Sequence, residues 1–159
     1  MIGGLRAFGP IAYAGLLGAL IGLEREIAGK PAGLRTHVFV AAGSALLVLL
    51  GGETVDAFAH SRSKDVIQSD PVRIIQAIVV GISFLGAGTI VHHHDRNVEG
   101  LTTAASIYLT AAIGIAVGVW EFFLAGITTA FALLVLFVAG RIEQRCMKDR
   151  GDKTDSKDA

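Results

Sequence analysis

Charge is scarce in this sequence. Only 18% of its 159 residues are Asp, Glu, Lys or Arg, against 52% hydrophobic, and the mean hydropathy is +0.59. A soluble domain of that length needs more polar side chains to cover its surface, so the composition points to a membrane protein. Cysteine is scarcer still. The single Cys146 supplies neither a disulfide framework nor a thiolate metal site. No small-residue cleavage site precedes the Glu24-Arg25-Glu26 cluster, so the first apolar run reads as a retained span and not as a signal peptide. Also missing are a nucleophile paired with a base, a phosphate-cradling loop and a His-Glu metalloprotease helix, so no enzymatic chemistry is expected. The formal net charge of zero says nothing useful about partners, and no nucleic-acid partner is expected.

What is present is apolar length. Asp, Glu, Lys and Arg vanish over 7–23, 36–52 and 74–91, and over 101–140 apart from Glu121. A helix crossing a hydrocarbon core of about 30 Å needs roughly 20 apolar residues, about 17 at the low end. The first two runs hold 17 residues and the third 18, so each suffices for one short crossing. The last is long enough for two, joined near Val119-Trp120-Glu121. The expected fold is an all-α integral membrane protein of five short, glycine-rich transmembrane helices over 1–140. A charged tail over 141–159 should be largely disordered.

Five spans put the termini on opposite sides. Ten Lys/Arg fall on the side of the first linker, Arg96 and the tail, against four on the other (Arg6, Arg62, Lys64, Arg73), which places the C-terminus in the cytoplasm and the N-terminus outside. The longest loop is expected over Glu53–Asp70. Asp70 can cap the third helix, with Pro71 at its first position.

Glycine is abundant at 20 residues, and most lie inside the apolar runs. Gly18/Gly22 and Gly114/Gly118 are spaced by four, one face each, and Gly81, Gly86 and Gly88 punctuate the third span. In lipid, helices gain by close backbone approach at small residues, and packing within one chain is the favoured use, with homo-oligomer contact as the other.

The polar residues of the spans are few. Glu24, Arg25 and Glu26 follow the first span, and Arg35, Thr36 and His37 open the second. If these helices pair antiparallel, the clusters meet at the cytoplasmic surface, as interfacial salt bridges or as a polar gate. Arg73 is set for an i, i+3 ion pair with Asp70, while Gln76 and Ser83 sit seven apart on one face of the third span. Glu99, Thr102, Thr103, Ser106 and Thr110 open the fourth, the hydroxyls bonding their own carbonyls or lining a cation path. A hard cation wants oxygen ligands, yet Asp70 falls on the opposite side from Glu24 and Glu99, so these carboxylates form no single cluster. The run His92-His93-His94-Asp95 reads as a wet, weakly basic loop, and no specific metal is assigned.

Three stretches taken together, Gly-Leu-Glu-Arg-Glu…Gly-Lys-Pro-Ala-Gly-Leu-Arg-Thr-His (22–37), Asp-Pro-Val-Arg-Ile-Ile-Gln…Gly-Ile-Ser-Phe-Leu-Gly-Ala-Gly-Thr-Ile (70–90) and Gly-Leu-Thr-Thr-Ala-Ala-Ser (100–106), resemble the MgtC/SapB family of bacterial inner-membrane proteins. The resemblance covers roughly residues 10–140. It implies a multi-pass inner-membrane protein with five helices and a cytoplasmic C-terminus, linked to magnesium homeostasis and to inhibition of the F-type ATP synthase. The signature polar residues it implies are Glu24, Arg25, Arg35, Thr36, Asp70, Arg73, Gln76, Thr102 and Thr103. An ACT-like domain that often follows the last helix in the family does not fit into the residues after Gly140. The expected partners are the lipid bilayer and, beyond it, a second copy or another membrane protein. No cofactor is expected; Mg²⁺ is an ion either moved along a seam of Gln76, Ser83, Thr103 and Ser106, or sensed.

Overall fold

The computed structural model describes residues 2–59, 71–92 and 98–155, with side chains over 8–54, 72–90 and 98–141. Among these residues there are five helices: α1 (Ile2–Ile27), α2 (Leu34–Ala59), α3 (Pro71–Ala87), α4 (Leu101–Gly118) and α5 (Phe122–Asp155). Between α3 and α4 lies a two-residue antiparallel ladder, β1 (Val91–His92) with β2 (Val98–Glu99), which pairs Val91 with Glu99 and His92 with Val98.

Local chemistry sets the ends of these elements. The apolar run of α1 stops at a Schellman motif, with Gly29 at φ 66° donating to Glu26 O and Lys30 donating to Arg25 O, both at 3.0 Å. This carries Glu24, Arg25 and Glu26 into the last turns of α1 rather than into a linker. The same motif ends α4, but its left-handed residue is Trp120 at φ 69°. Pro71 opens α3 as expected, while Asp70, its expected cap and ion-pair partner for Arg73, lies outside the described residues. Gly100 at φ 91° precedes α4 and lies against the Thr89 carbonyl, a place that admits no Cβ.

Two boundaries move. Helix α2 continues to Ala59 and shortens the loop expected from Glu53. Helix α5 runs through the charged segment as far as Asp155, where Glu, Gln, Arg, Lys and Met, all good helix formers, extend the span beyond its apolar part.

Helix α4 touches all four other helices; α2 packs against α1 and α4, α5 lies across α1 and α4, and α3 leans on α4 and more lightly on α2. The core joins Leu17 and Ile21 of α1, Ala41 and Ala45 of α2, Ile113 and Val117 of α4, and Ala125, Ala132 and Leu136 of α5. The surface is apolar too: Phe39, Val80, Phe84, Phe123 and Leu134 are largely exposed. Arg25, His37, Ser44, Thr103, Ser106, Thr110 and Thr129 are buried. Polar groups within and apolar groups without is the arrangement that a lipid solvent selects. Leu34–Thr54, Leu101–Gly118 and Phe122–Arg141 are long and apolar enough to cross a membrane, and Val72–Ala87 is a shorter apolar helix.

Candidate functional site: a buried polar junction of three helices

The glycine pairs are where α1 and α4 close on α2. A Cβ on Gly18 would press on the His37 carbonyl, and one on Gly22 would stand 2.7 Å from Leu34 Cα. On the other side, Gly114 abuts the Ala41 carbonyl, and a Cβ on Gly118 would come 2.7 Å from Val48 Cβ. Both pairs therefore serve contacts within the chain. Gly86 approaches Ala104 of α4, and Gly88 stands against the Leu85 carbonyl of its own chain. Gly81, expected to pack, has nothing within 4 Å of where its Cβ would be.

At the heart of the junction is His37, fully buried one turn into α2. Its Nδ1 lies 3.0 Å from the Gly33 carbonyl and its Nε2 3.3 Å from Ser106 Oγ on α4. Ser106 Oγ in turn donates to the Thr103 carbonyl at 2.8 Å, and Thr110 Oγ1 to the Ser106 carbonyl at 2.8 Å. A carbonyl only accepts, so Nδ1 carries a hydrogen toward Gly33. In the neutral ring Nε2 must then accept, and the single Ser106 hydroxyl hydrogen can serve either Nε2 or Thr103 O. In the imidazolium both ring nitrogens donate and Ser106 keeps its bond to Thr103. The thread thus has two hydrogen-bond arrangements that differ by one proton and one hydroxyl rotation.

Charge stands beside it. Arg25 is buried; its Nη2 donates to Glu24 Oε1 at 2.7 Å and its Nε donates to Oε2. Both groups are close enough to act electrostatically on the His37 ring. A cation in the last turn of α1 also faces the negative end of that helix. Glu26 Oε2 accepts the Leu34 backbone N–H at 2.8 Å, so a carboxylate of α1 caps the start of α2. The antiparallel meeting of the two clusters, expected on condition of pairing, is present.

The residues singled out from sequence divide accordingly. Glu24, Arg25, Thr103 and Ser106, with Gly18 and Gly22, gather around His37. Arg35, Thr102 and Glu99 are exposed and Thr36 is half-buried at the rim. Gln76 and Ser83 are exposed, and Ser83 donates to its own Val79 carbonyl at 2.7 Å. They face away from buried Thr103 and Ser106, so the four do not form one seam; a shared helix face carries no statement of which way that face points. Among the described residues no three His, Cys, Asp or Glu side chains come together as a cation site. Asp70, His93 and His94 lie outside those residues, as does the side chain of His92. His37 is the residue that sequence reading passed over as a flanking group. Its signal was an imidazole inside a charge-free run, at the level of the Gly18/Gly22 face.

The MgtC family matches residues 11–145. Similar proteins include YhiD of Escherichia coli (strain K12), 42% identical over 127 residues (80% of this chain, 57% of that one). SrpB of Synechococcus elongatus is 40% identical over 145 residues (84% and 75%), and MgtC of Brucella abortus 41% over 125 (79% and 48%). This chain therefore spans little more than half the length of several of its curated relatives. No solved structure matches. The motifs at 22–37, 70–90 and 100–106 all fall within the matched region, and with it this apolar helical chain is a membrane protein that belongs to the MgtC family.

Proposed function

We propose that the chain is a multi-pass protein of a bacterial inner membrane that serves Mg²⁺ homeostasis as a membrane-embedded regulator, binding a partner rather than conducting the ion. One observation carries this reading: the interior polar groups satisfy one another. His37, Ser106, Thr103 and Thr110 are closed into a single thread, and Gly18, Gly22, Gly114 and Gly118 bring backbones together on both sides of α2. Such packing gives a hydrated cation, which gives up its waters reluctantly, no oxygen-lined room between α1, α2 and α4 among the described residues. The partner suggested by the family resemblance is the membrane sector of the F-type ATP synthase. The Lys/Arg distribution supports a cytoplasmic C-terminus, which Cys146 tests directly: an impermeant thiol reagent should label it from the cytoplasmic face alone.

A second reading is transport of Mg²⁺, favoured by the E. coli relative, which is named as a candidate magnesium transporter. Purified protein in liposomes with an entrapped Mg²⁺ indicator separates the two. The regulator reading expects flux no greater than in empty liposomes, and loss of ATP-driven proton pumping when the protein is added to ATP synthase vesicles. Flux that Ser106→Leu abolishes, with pumping untouched, establishes transport instead.

A further inference from the structure

Helix α3 follows α4 and stands off from α2. It meets α2 at its first turns, where Ile74 covers Gly51, and meets α4 at its other end, where Gly86 approaches Ala104. Between α2 and α3 this leaves an open groove of about 600 Å³. Its walls are almost wholly apolar, with Phe39, Gly43 and Leu47 on α2 and Ala77 and Gly81 on α3. Gly43 and Gly81 hold it open, since no heavy atom lies within 4 Å of the place a Cβ would take on either. One charged residue lines it, Arg73, in the first turn of α3, with no lining carboxylate. Among the described residues Arg73 forms no ion pair.

We propose that this groove binds one anionic phospholipid, an acyl chain lying between α2 and α3 and the phosphate held by the Arg73 guanidinium. Three observations select that occupant. The first is length. From Arg73 to Ile82 the lining spans nine residue steps along α3, or about 14 Å at 1.5 Å each. That is close to half of a hydrocarbon core about 30 Å thick, the depth of one leaflet. The second is charge. The guanidinium stands at the groove end nearest the helix terminus, where phosphates lie, and its planar fork suits a phosphate bidentately. The third is size. At about 600 Å³ the groove lies within the roughly 300–1,000 Å³ of clefts that take a small molecule.

Native mass spectrometry of the detergent-purified chain, titrated with phosphatidylglycerol or phosphatidylcholine, tests the proposal. One phosphatidylglycerol should bind per chain in preference to phosphatidylcholine. Arg73→Gln should reduce that preference about tenfold, the low end for hydrogen bonds to a charged group, while Arg73→Lys keeps part of it. Gly81→Leu, which fills the groove without touching the charge, should abolish binding of both lipids. Thermal scans of each variant show that it remains folded; should Gly81→Leu unfold, Gly43→Leu fills the groove from the other wall. Equal binding of the two lipids by the native chain, or unchanged preference in Arg73→Gln, overturns the proposal. So does a dimer that the glycine substitutions dissociate, which would assign the groove to a second copy.

Discussion

Gly114 and Gly81 both lie inside apolar helices, yet replacing each with alanine should move stability in opposite directions. At Gly114 the added methyl would meet the Ala41 carbonyl oxygen, with Ser44 Cβ at 2.9 Å and the Ala41 carbonyl carbon at 3.0 Å. Two of those atoms are backbone of a packed helix and cannot rotate aside, so α4 must retreat from α2. A gap of about 0.5–1 Å forfeits a quarter to a half of each dispersion contact it opens. Overpacking of this kind costs about 1–3 kcal/mol. With rigid backbone as the obstacle the upper end applies, and the better helix propensity of alanine returns about 1 kcal/mol. The net loss is about 2 kcal/mol, or a melting temperature lower by about 4–8 °C for a chain of this size. At Gly81 nothing is within 4 Å, so only the propensity gain remains and the same scan should rise by about 2–4 °C. Circular dichroism melts of both variants in one detergent check this. If the two shift in the same direction, the glycine contacts between α2 and α4 do not govern the packing.

The remaining predictions concern the junction and its turns. Ser106→Ala should cost about 1–2 kcal/mol in the native chain but far less in a His37→Ala background; a strictly additive double-mutant cycle would show that the imidazole–hydroxyl bond contributes nothing. Gly29→Ala meets only the left-handed backbone, a cost of about 1–2 kcal/mol, whereas Gly100→Ala also drives a methyl into the Thr89 carbonyl and should melt well below it; equal melting temperatures would refute the crowding at Gly100. Glu26→Ala removes the side-chain cap on Leu34 and should destabilise by about 1 kcal/mol, with Glu26→Gln recovering part of that in the same melts because it keeps an acceptor oxygen.

Sequence reading reached the helices more readily than the site. A charge-free run is a strong signal because lipid makes the backbone satisfy its own hydrogen bonds and an unbroken apolar run of this length does so as a helix, and the breaks at Pro71 and at 119–121 fell where proline geometry and a single glutamate placed them. The end of α1 was harder to see. A charged triad looks like a linker until the Schellman turn at Gly29 is known to follow it. The site was legible in part: the face shared by Thr103, Ser106 and Thr110 is buried as a unit, and the spaced glycines mark real contacts. Gln76, Ser83 and Gly81 show the limit, since periodicity groups residues on a face but only tertiary packing chooses between core, groove and lipid. His37 was hidden because a residue at a predicted helix start reads as interfacial, whereas two glycines on α1 let the helices close over it.

The apolar runs of the helices are short, and that has a consequence for the bilayer itself. Helix α3 has 17 residues and its neighbour α4 has 18, so each rises only about 26–27 Å, short of a hydrocarbon core of about 30 Å. Helices α1 and α2 have 26 residues each, but their charge-free runs hold 17 residues apiece and rise about 26 Å. The apolar band of the molecule is therefore thinner than the membrane around it, and the lipid beside it must compress at a fraction of a kcal/mol per Å of mismatch. Two molecules that come together share one zone of compressed lipid in place of two. Elastic attraction of that kind needs no complementary surface, strengthens as the bilayer thickens, and draws this chain toward the thinnest membrane open to it.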